Sequence, residues 1–232
     1  MSALTANEFR TRFETVQAKI DEAARKTGRS LKDITLVAVT KGVKSELILE
    51  VKEAGLSIFG ENRVQEAEEK IPAVNFPDVQ WQLIGHLQSN KVKTAVALFQ
   101  LIQSVDTVRL ADKISQEALA AGKMMPVLLE VNISGEEQKY GFKTEEVYSA
   151  IDQMASMQGI RVLGLMGMAS NLVNENVKRE TFKKLRGLFS ACKMLKHPNI
   201  EMKFLSMGMS DDYGIAIEEG ANMVRIGRAL FK

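Results

Sequence analysis

The sequence predicts an α/β fold, a single (β/α)8 TIM barrel with an extra N-terminal helix. Three observations carry that expectation. Eight short β-branched or apolar runs recur along the chain, and seven helical stretches separate them. The 232 residues suit one barrel domain, here residues 1–232. An open doubly wound sheet also fits βα alternation. Eight units favour closure, and no G-x-G-x-x-G follows the first strand.

The leading helix comes first. Phe9, Phe13, Val16, Ile20 and Ala23 recur at three and four residues and so share one face. Asn7 is its candidate cap, and Gly28 its stop. The strand runs are Ile34–Thr40, Ser57–Gly60, Trp81–Gly85, Leu101–Val105, Val127–Ile133, Val162–Met166, Lys203–Met207 and Met223–Ile226. Several are apolar at consecutive positions, as strands buried on both faces are. The helical stretches are Ser45–Glu53, Val64–Lys70, Asn90–Leu98, Thr107–Ala121, Thr144–Met157, Val177–Leu195 and Asp211–Glu219. Ser45, Asn90, Thr144 and Asp211 are candidate caps. Gly55, Gly122, Gly159 and Gly220 stand where a left-handed C-terminal residue is expected. The prolines, Pro72, Pro77, Pro126 and Pro198, are expected between elements, and the last strand unit runs out to Phe231.

Composition narrows the function. Hydrophobic residues make up 45% and charged residues 26%, so a core and a soluble surface are both available. A net charge of +2 and only 6% aromatics disfavour a nucleic-acid or membrane-surface protein. The only cysteine, Cys192, precludes a disulfide within the chain and points to a reducing compartment. It reads as a small apolar helix residue. The N-terminus lacks a signal-peptide pattern, and no apolar run reaches the ~20 residues of a membrane helix. A cytoplasmic protein is expected.

In a barrel, chemistry collects at the C-terminal ends of the strands. Lys41 closes the first apolar run. A lysine beside apolar walls or other cations can serve as a neutral amine toward an aldehyde or ketone, although a strand-end lysine can also simply reach solvent. The last two strands deliver Ser206, Gly208, Ser210, Arg225 and Gly227, followed by a helix start near Asp211. Hydroxyls, glycine amides, a helix N-terminus and an arginine suit a phosphate dianion. Together with Lys41 they suggest either a sugar phosphate or pyridoxal 5′-phosphate, an aldehyde that carries its own phosphate.

The segments VAVTK (Val37–Lys41), FGENRVQE (Phe59–Glu66), IGHLQSNK (Ile84–Lys91), SVD (Ser104–Asp106), LSMGMSDD (Leu205–Asp212) and VRIGRALF (Val224–Phe231) resemble the pyridoxal-phosphate homeostasis protein family, also known as the proline-synthetase co-transcribed family. The resemblance runs in order from Ile34 to Phe231. Gln82 departs from it where many members have histidine, and no glycine follows Phe231. The resemblance implies an alanine-racemase-like barrel that holds pyridoxal phosphate as a Schiff base on Lys41. It places Asn62 near the cofactor, Ser206, Ser210, Arg225 and Gly227 in the phosphate-binding segments, and Met168 beside the ring. It also implies a role in cofactor supply without established turnover, with pyridoxal-phosphate-dependent apo-enzymes as clients.

The remaining polar residues read more simply. His86 is expected to fix a loop, and His197 to be solvated. Two histidines and one cysteine build no zinc cluster. Glu66–Glu69 and Lys178–Arg186 read as solvated helix faces, and Asp211-Asp212 as a helix start. A racemase moves protons at both faces of a carbanion and needs a second acid/base. Only Tyr140, Tyr148 and Tyr213 offer a phenol, and related racemases complete their site with a second domain for which 232 residues leave no room. A monomeric carrier is therefore preferred to a pyridoxal-phosphate enzyme such as an amino-acid racemase, or to a Schiff-base aldolase acting on a sugar phosphate.

Overall fold

Burial on both faces of the strands is what a closed parallel sheet wrapped by helices requires. The computed structural model describes residues 5–136, 138–170 and 174–232. Among these residues the strands are β1 Thr35–Val39, β2 Ile58–Glu61, β3 Gln80–Leu83, β4 Leu101–Val105, β5 Met125–Val131, β6 Ile160–Gly167, β7 Ile200–Ser206 and β8 Met223–Ile226. They pair in sequence order, all parallel, and β8 closes onto β1 with Val37 opposite Arg225. The helices are α1 Ala6–Arg25, α2 Ser45–Glu53, α3 Val64–Val74, α4 Val92–Leu98, α5 Val108–Ala120, α6 Val147–Met154, α7 Glu175–Cys192, α8 Tyr213–Glu218 and α9 Arg228–Phe231. The expected (β/α)8 barrel with its leading helix is present.

The strand alternation sorts the core into two clusters. Ala38, Phe59, Trp81, Ile102, Leu129, Leu205 and Val224 face outward and meet helix residues such as Phe9, Ile20, Ile48, Ile114 and Phe182. Val37, Leu101, Leu128, Met166 and Met223 face inward and plug the barrel. Each large apolar side chain buried this way contributes roughly 1.5–3 kcal/mol. Cys192 is a fully buried member of the outer cluster, as its helical pattern predicts.

Several boundaries differ from expectation. Thr5 caps α1, because Glu8 three residues on completes a reciprocal pair of hydrogen bonds with it, and Asn7 lies inside the helix. Lys44 and Lys143 precede the helical turns that Ser45 and Thr144 begin, so the predicted caps are first-turn residues. Asn90 lies within a 3-10 turn, Ser89–Lys91. Asp212, not Asp211, precedes α8. Gly55, Gly122 and Gly220 take positive φ as predicted, but Gly159 does not. Gly159 instead makes room for Ser115 of α5, whose carbonyl oxygen would lie 2.0 Å from an added Cβ. Pro72 lies inside α3 and Pro126 is the second residue of β5, where a missing N–H is tolerated at a strand start. After β8 the chain turns into α9. On α7, Arg179 is not a free surface cation, since it pairs with Glu218 and Glu219 at 2.8 Å.

Among the described residues no helix is long and apolar enough to cross a membrane.

Candidate functional site

The site is built on the inward face of the strands. Two residues beyond Leu101, Leu128 and Met223, the same face carries Gln103, Glu130 and Arg225, one layer nearer the C-terminal mouth. Ser206 ends β7 beside them. All four side chains are buried. Gln103 Nε2 donates to Gln82 Oε1 at 2.5 Å, and the Ser206 hydroxyl donates to Gln103 Oε1 at 2.6 Å. Arg225 closes the chain, with Nη1 donating to Ser206 O at 2.9 Å and Oγ at 2.6 Å, and Nη2 to Gly167 O at 3.1 Å. Burial pushes the Arg225 guanidinium down to about 10, which leaves it charged at neutral pH.

Glu130 is the carboxyl member of this layer. Burial pushes its carboxyl up to about 7, Arg225 opposes the rise, and Asp106 adds to it. Asp106 in turn holds His86, whose Nδ1 lies 3.0 Å from Asp106 Oδ2, and the His86 ring stacks on Tyr140 with centroids 3.7 Å apart. His86 therefore fixes the rim of the mouth, as expected. His197 is less free than expected, with Nε2 3.2 Å from Asp152 Oδ1.

Lys41 lies two residues beyond the end of β1, on a turn in which Val43 N–H donates to Thr40 O at 2.9 Å. Its side chain is exposed and lines a cavity of about 420 Å3 with Val39, Leu47, Gly227 and Phe231, and with the charged Lys44, Glu46, Glu50, Arg228 and Lys232. Gly227 packs closely on β1, since an added Cβ would lie 3.2 Å from Val39 Cβ. Ser210 approaches from the neighbouring loop, and its hydroxyl accepts from Ala229 N–H at 3.2 Å. Asp211 pairs with Arg228. Asp212 accepts from Met209 N–H at 2.7 Å, which ties down the loop that carries Ser210. Asn62 follows β2, and its backbone packs against Gly85, where an added Cβ would meet Asn62 O at 2.2 Å. Met168 follows β6 and is half-buried.

The structure thus brings Lys41 and Gly227 to one cavity and Ser206 and Arg225 to one hydrogen-bonded pair. Ser210 connects to the Gly227–Ala229 segment, and Asn62 and Met168 border the mouth from β2 and β6. Sequence reasoning missed Glu130, Gln103 and the buried cluster behind Lys41 formed by Glu61 and Lys70. One signal was available for Glu130, a lone carboxylate inside the apolar run VLLEV. A lysine amine at a cavity with Gly227 beside it, together with the Ser210 hydroxyl and the buried Arg225 on the adjoining strand ends, supplies the chemistry that an aldehyde bearing a phosphate needs.

Comparison with known proteins identifies the family and the fold. Residues 13–232 match the family described as alanine racemase, N-terminal domain. The pyridoxal phosphate homeostasis protein of Aquifex aeolicus is 39% identical over 95% of this chain and 96% of its own. That of Escherichia coli K12 is 34% identical over 97% of this chain and 96% of its own. Among solved structures, PipY of Synechococcus elongatus with bound pyridoxal phosphate superposes with a TM-score of 0.84 at 29% identity, covering 97% of this chain and 100% of PipY. An alanine racemase of Clostridium difficile shares the fold at a TM-score of 0.70 and 15% identity, covering 97% of this chain and 55% of the racemase. This chain belongs to the pyridoxal phosphate homeostasis protein family, within the alanine racemase N-terminal domain fold.

Proposed function

We propose that this protein binds pyridoxal 5′-phosphate through Lys41 and serves its storage and supply rather than substrate turnover. The observation that carries the reading is the placement of the Lys41 side chain and Gly227 on one cavity, between the ends of β1 and β8 and the helices α2 and α9, in a chain so similar to known pyridoxal phosphate homeostasis proteins. When bound, the cofactor supplies a phosphate dianion and an aldehyde, which a primary amine joins as a Schiff base with loss of one water. Lys41 Nζ provides that amine. The Ser210 hydroxyl and the Gly227 backbone would hold the phosphate, and Ser206 holds Arg225, which sets a fixed positive charge beneath the mouth. Asn62 and Met168 would contact the ring.

Residues 1–232 then act as one monomeric, cytoplasmic binding domain. Its partners are the cofactor and apo-enzymes that receive it, with no nucleic acid and no membrane. Two of the three phenols support a carrier, whereas Tyr140 lies at the mouth on His86. Tyr213 is buried, and burial holds its hydroxyl above the usual range, while Tyr148 sits on α6 outside the barrel.

The test is borohydride reduction after incubation with pyridoxal phosphate. A stable adduct mapped to Lys41, and none in Lys41→Ala, is expected. A wild-type protein that takes up no cofactor overturns the reading. One observation favours a second reading, a pyridoxal-phosphate-dependent racemase or related enzyme: the His86–Asp106 pair under Tyr140 could move a proton at the mouth. Exchange of the amino-acid α-proton in deuterium oxide, lost in Lys41→Ala, would favour it. Trapping of a sugar phosphate on Lys41 without pyridoxal phosphate would favour an aldolase.

A further inference from the structure

Behind Lys41 lies a buried charge cluster that no motif announces. Lys41 occupies the second position of the turn Thr40–Val43. Gly42, at the third, has φ +68°, the left-handed value that a type II turn needs there. Three side chains converge on this turn. Lys70 Nζ of α3 donates to Thr40 O at 2.7 Å, the carbonyl that also closes the turn. It donates as well to Glu61 Oε1 at 2.8 Å and Glu66 Oε2 at 3.3 Å. The Thr40 hydroxyl donates to the same Glu61 oxygen at 2.7 Å. Glu66 Oε2 accepts the Gly42 N–H at 3.2 Å. The residues on both sides of Lys41 are therefore tied, and its own amine pairs with no carboxylate among the described residues.

Position separates this cluster from the mouth. Glu61 lies two residues beyond Phe59, a member of the outer core, so it points out of the barrel toward α3. It acts on a ligand only through the turn. Glu61 is fully exposed to neither water nor a complete set of partners: it is buried, and its Oε2 has no hydrogen bond. Burial outweighs Lys70 and Thr40 in setting its ionisation, so its carboxyl is held above the usual range. An apolar pair often fills such a space at no loss of stability. What an apolar pair could not do is hold Thr40 by directed hydrogen bonds.

We infer that Glu61, Lys70 and Glu66 are positioning residues that fix the turn aiming Lys41 into its cavity. The inference rests on the proposal that Lys41 carries the cofactor.

Two variants test it. Glu61→Gln/Lys70→Met removes both buried charges together, and Glu66→Ala removes the half-exposed tie to Gly42. Each is titrated with pyridoxal phosphate by visible absorbance, the pH midpoint of that absorbance is measured, and the melting temperature is recorded. Affinity is expected to fall about tenfold in the double variant and less in Glu66→Ala. The pH midpoint is expected to move in both, with Glu66→Ala melting like the wild type. Wild-type affinity and pH midpoint in the folded variants overturn the inference. If the double variant does not fold, Glu66→Ala decides alone. A wild type that forms no adduct on Lys41 overturns the cofactor proposal and this inference with it, whereas an intact wild type with unaffected variants overturns this inference only.

Discussion

Arg225 and Ser206 are joined twice, since one guanidinium nitrogen donates both to the carbonyl oxygen of Ser206 at 2.9 Å and to its hydroxyl at 2.6 Å. The second guanidinium nitrogen reaches Gly167 O on β6. One side chain thus ties three strand ends together beneath the mouth, and its planar fork does what a point cation cannot.

Replacing that fork is expected to be costly. Arg225→Met leaves two buried carbonyls and the Ser206 hydroxyl without their donor and should destabilise the fold by about 2–4 kcal/mol. Arg225→Lys should recover only part of this, because one ammonium cannot span Ser206 and Gly167. Urea unfolding of the three proteins measures it, and equal stabilities would show that the pair contributes nothing.

Glu130 should make stability depend on pH. Its carboxyl is raised from 4.5 to about 7 by burial, so between those values the folded state binds more protons than the unfolded chain. Stability therefore falls as pH rises through that window and levels off above it, by a total on the order of 3 kcal/mol. Glu130→Gln should flatten this part of the profile and be the more stable protein at about pH 8. Unfolding free energies across the window test it, and parallel profiles would refute it.

Gly227→Ala should weaken cofactor uptake without unfolding the barrel. The added Cβ would lie 3.2 Å from Val39 Cβ, on the wall of the Lys41 cavity, and no positive φ is involved. A several-fold rise in the Kd for pyridoxal phosphate, with a melting temperature near wild type, is the expected result. An unchanged Kd would place the phosphate elsewhere.

Cys192 should be inert in the native protein. It is buried in the outer core, and burial pushes its thiol up to about 11, so little thiolate exists at neutral pH and none is accessible. A disulfide reagent such as Ellman's should react only after denaturation. Rapid labelling of the folded protein would show that α7 opens locally.

The sequence by itself determined the barrel. Strands buried on both faces appear as continuous apolar runs, and helices that cover them show one apolar face, so the βα alternation can be counted. It also determined Lys41, Ser206, Ser210, Arg225 and Gly227 as candidates, because strand ends and glycine-rich turns break that apolar texture. Only the tertiary structure decided which polar residues face inward. In a run such as Val127–Val131, where both faces are apolar, no alternation distinguishes the inside of the barrel from the outside. The places of Glu130 beside Arg225 and of Gln103 beside Ser206 were therefore not legible, and Glu61 could not be separated from the mouth residues beside it. The pairing of Glu61 with Lys70 depends on α3 folding back against β2, a contact between different elements that local sequence periodicity does not encode.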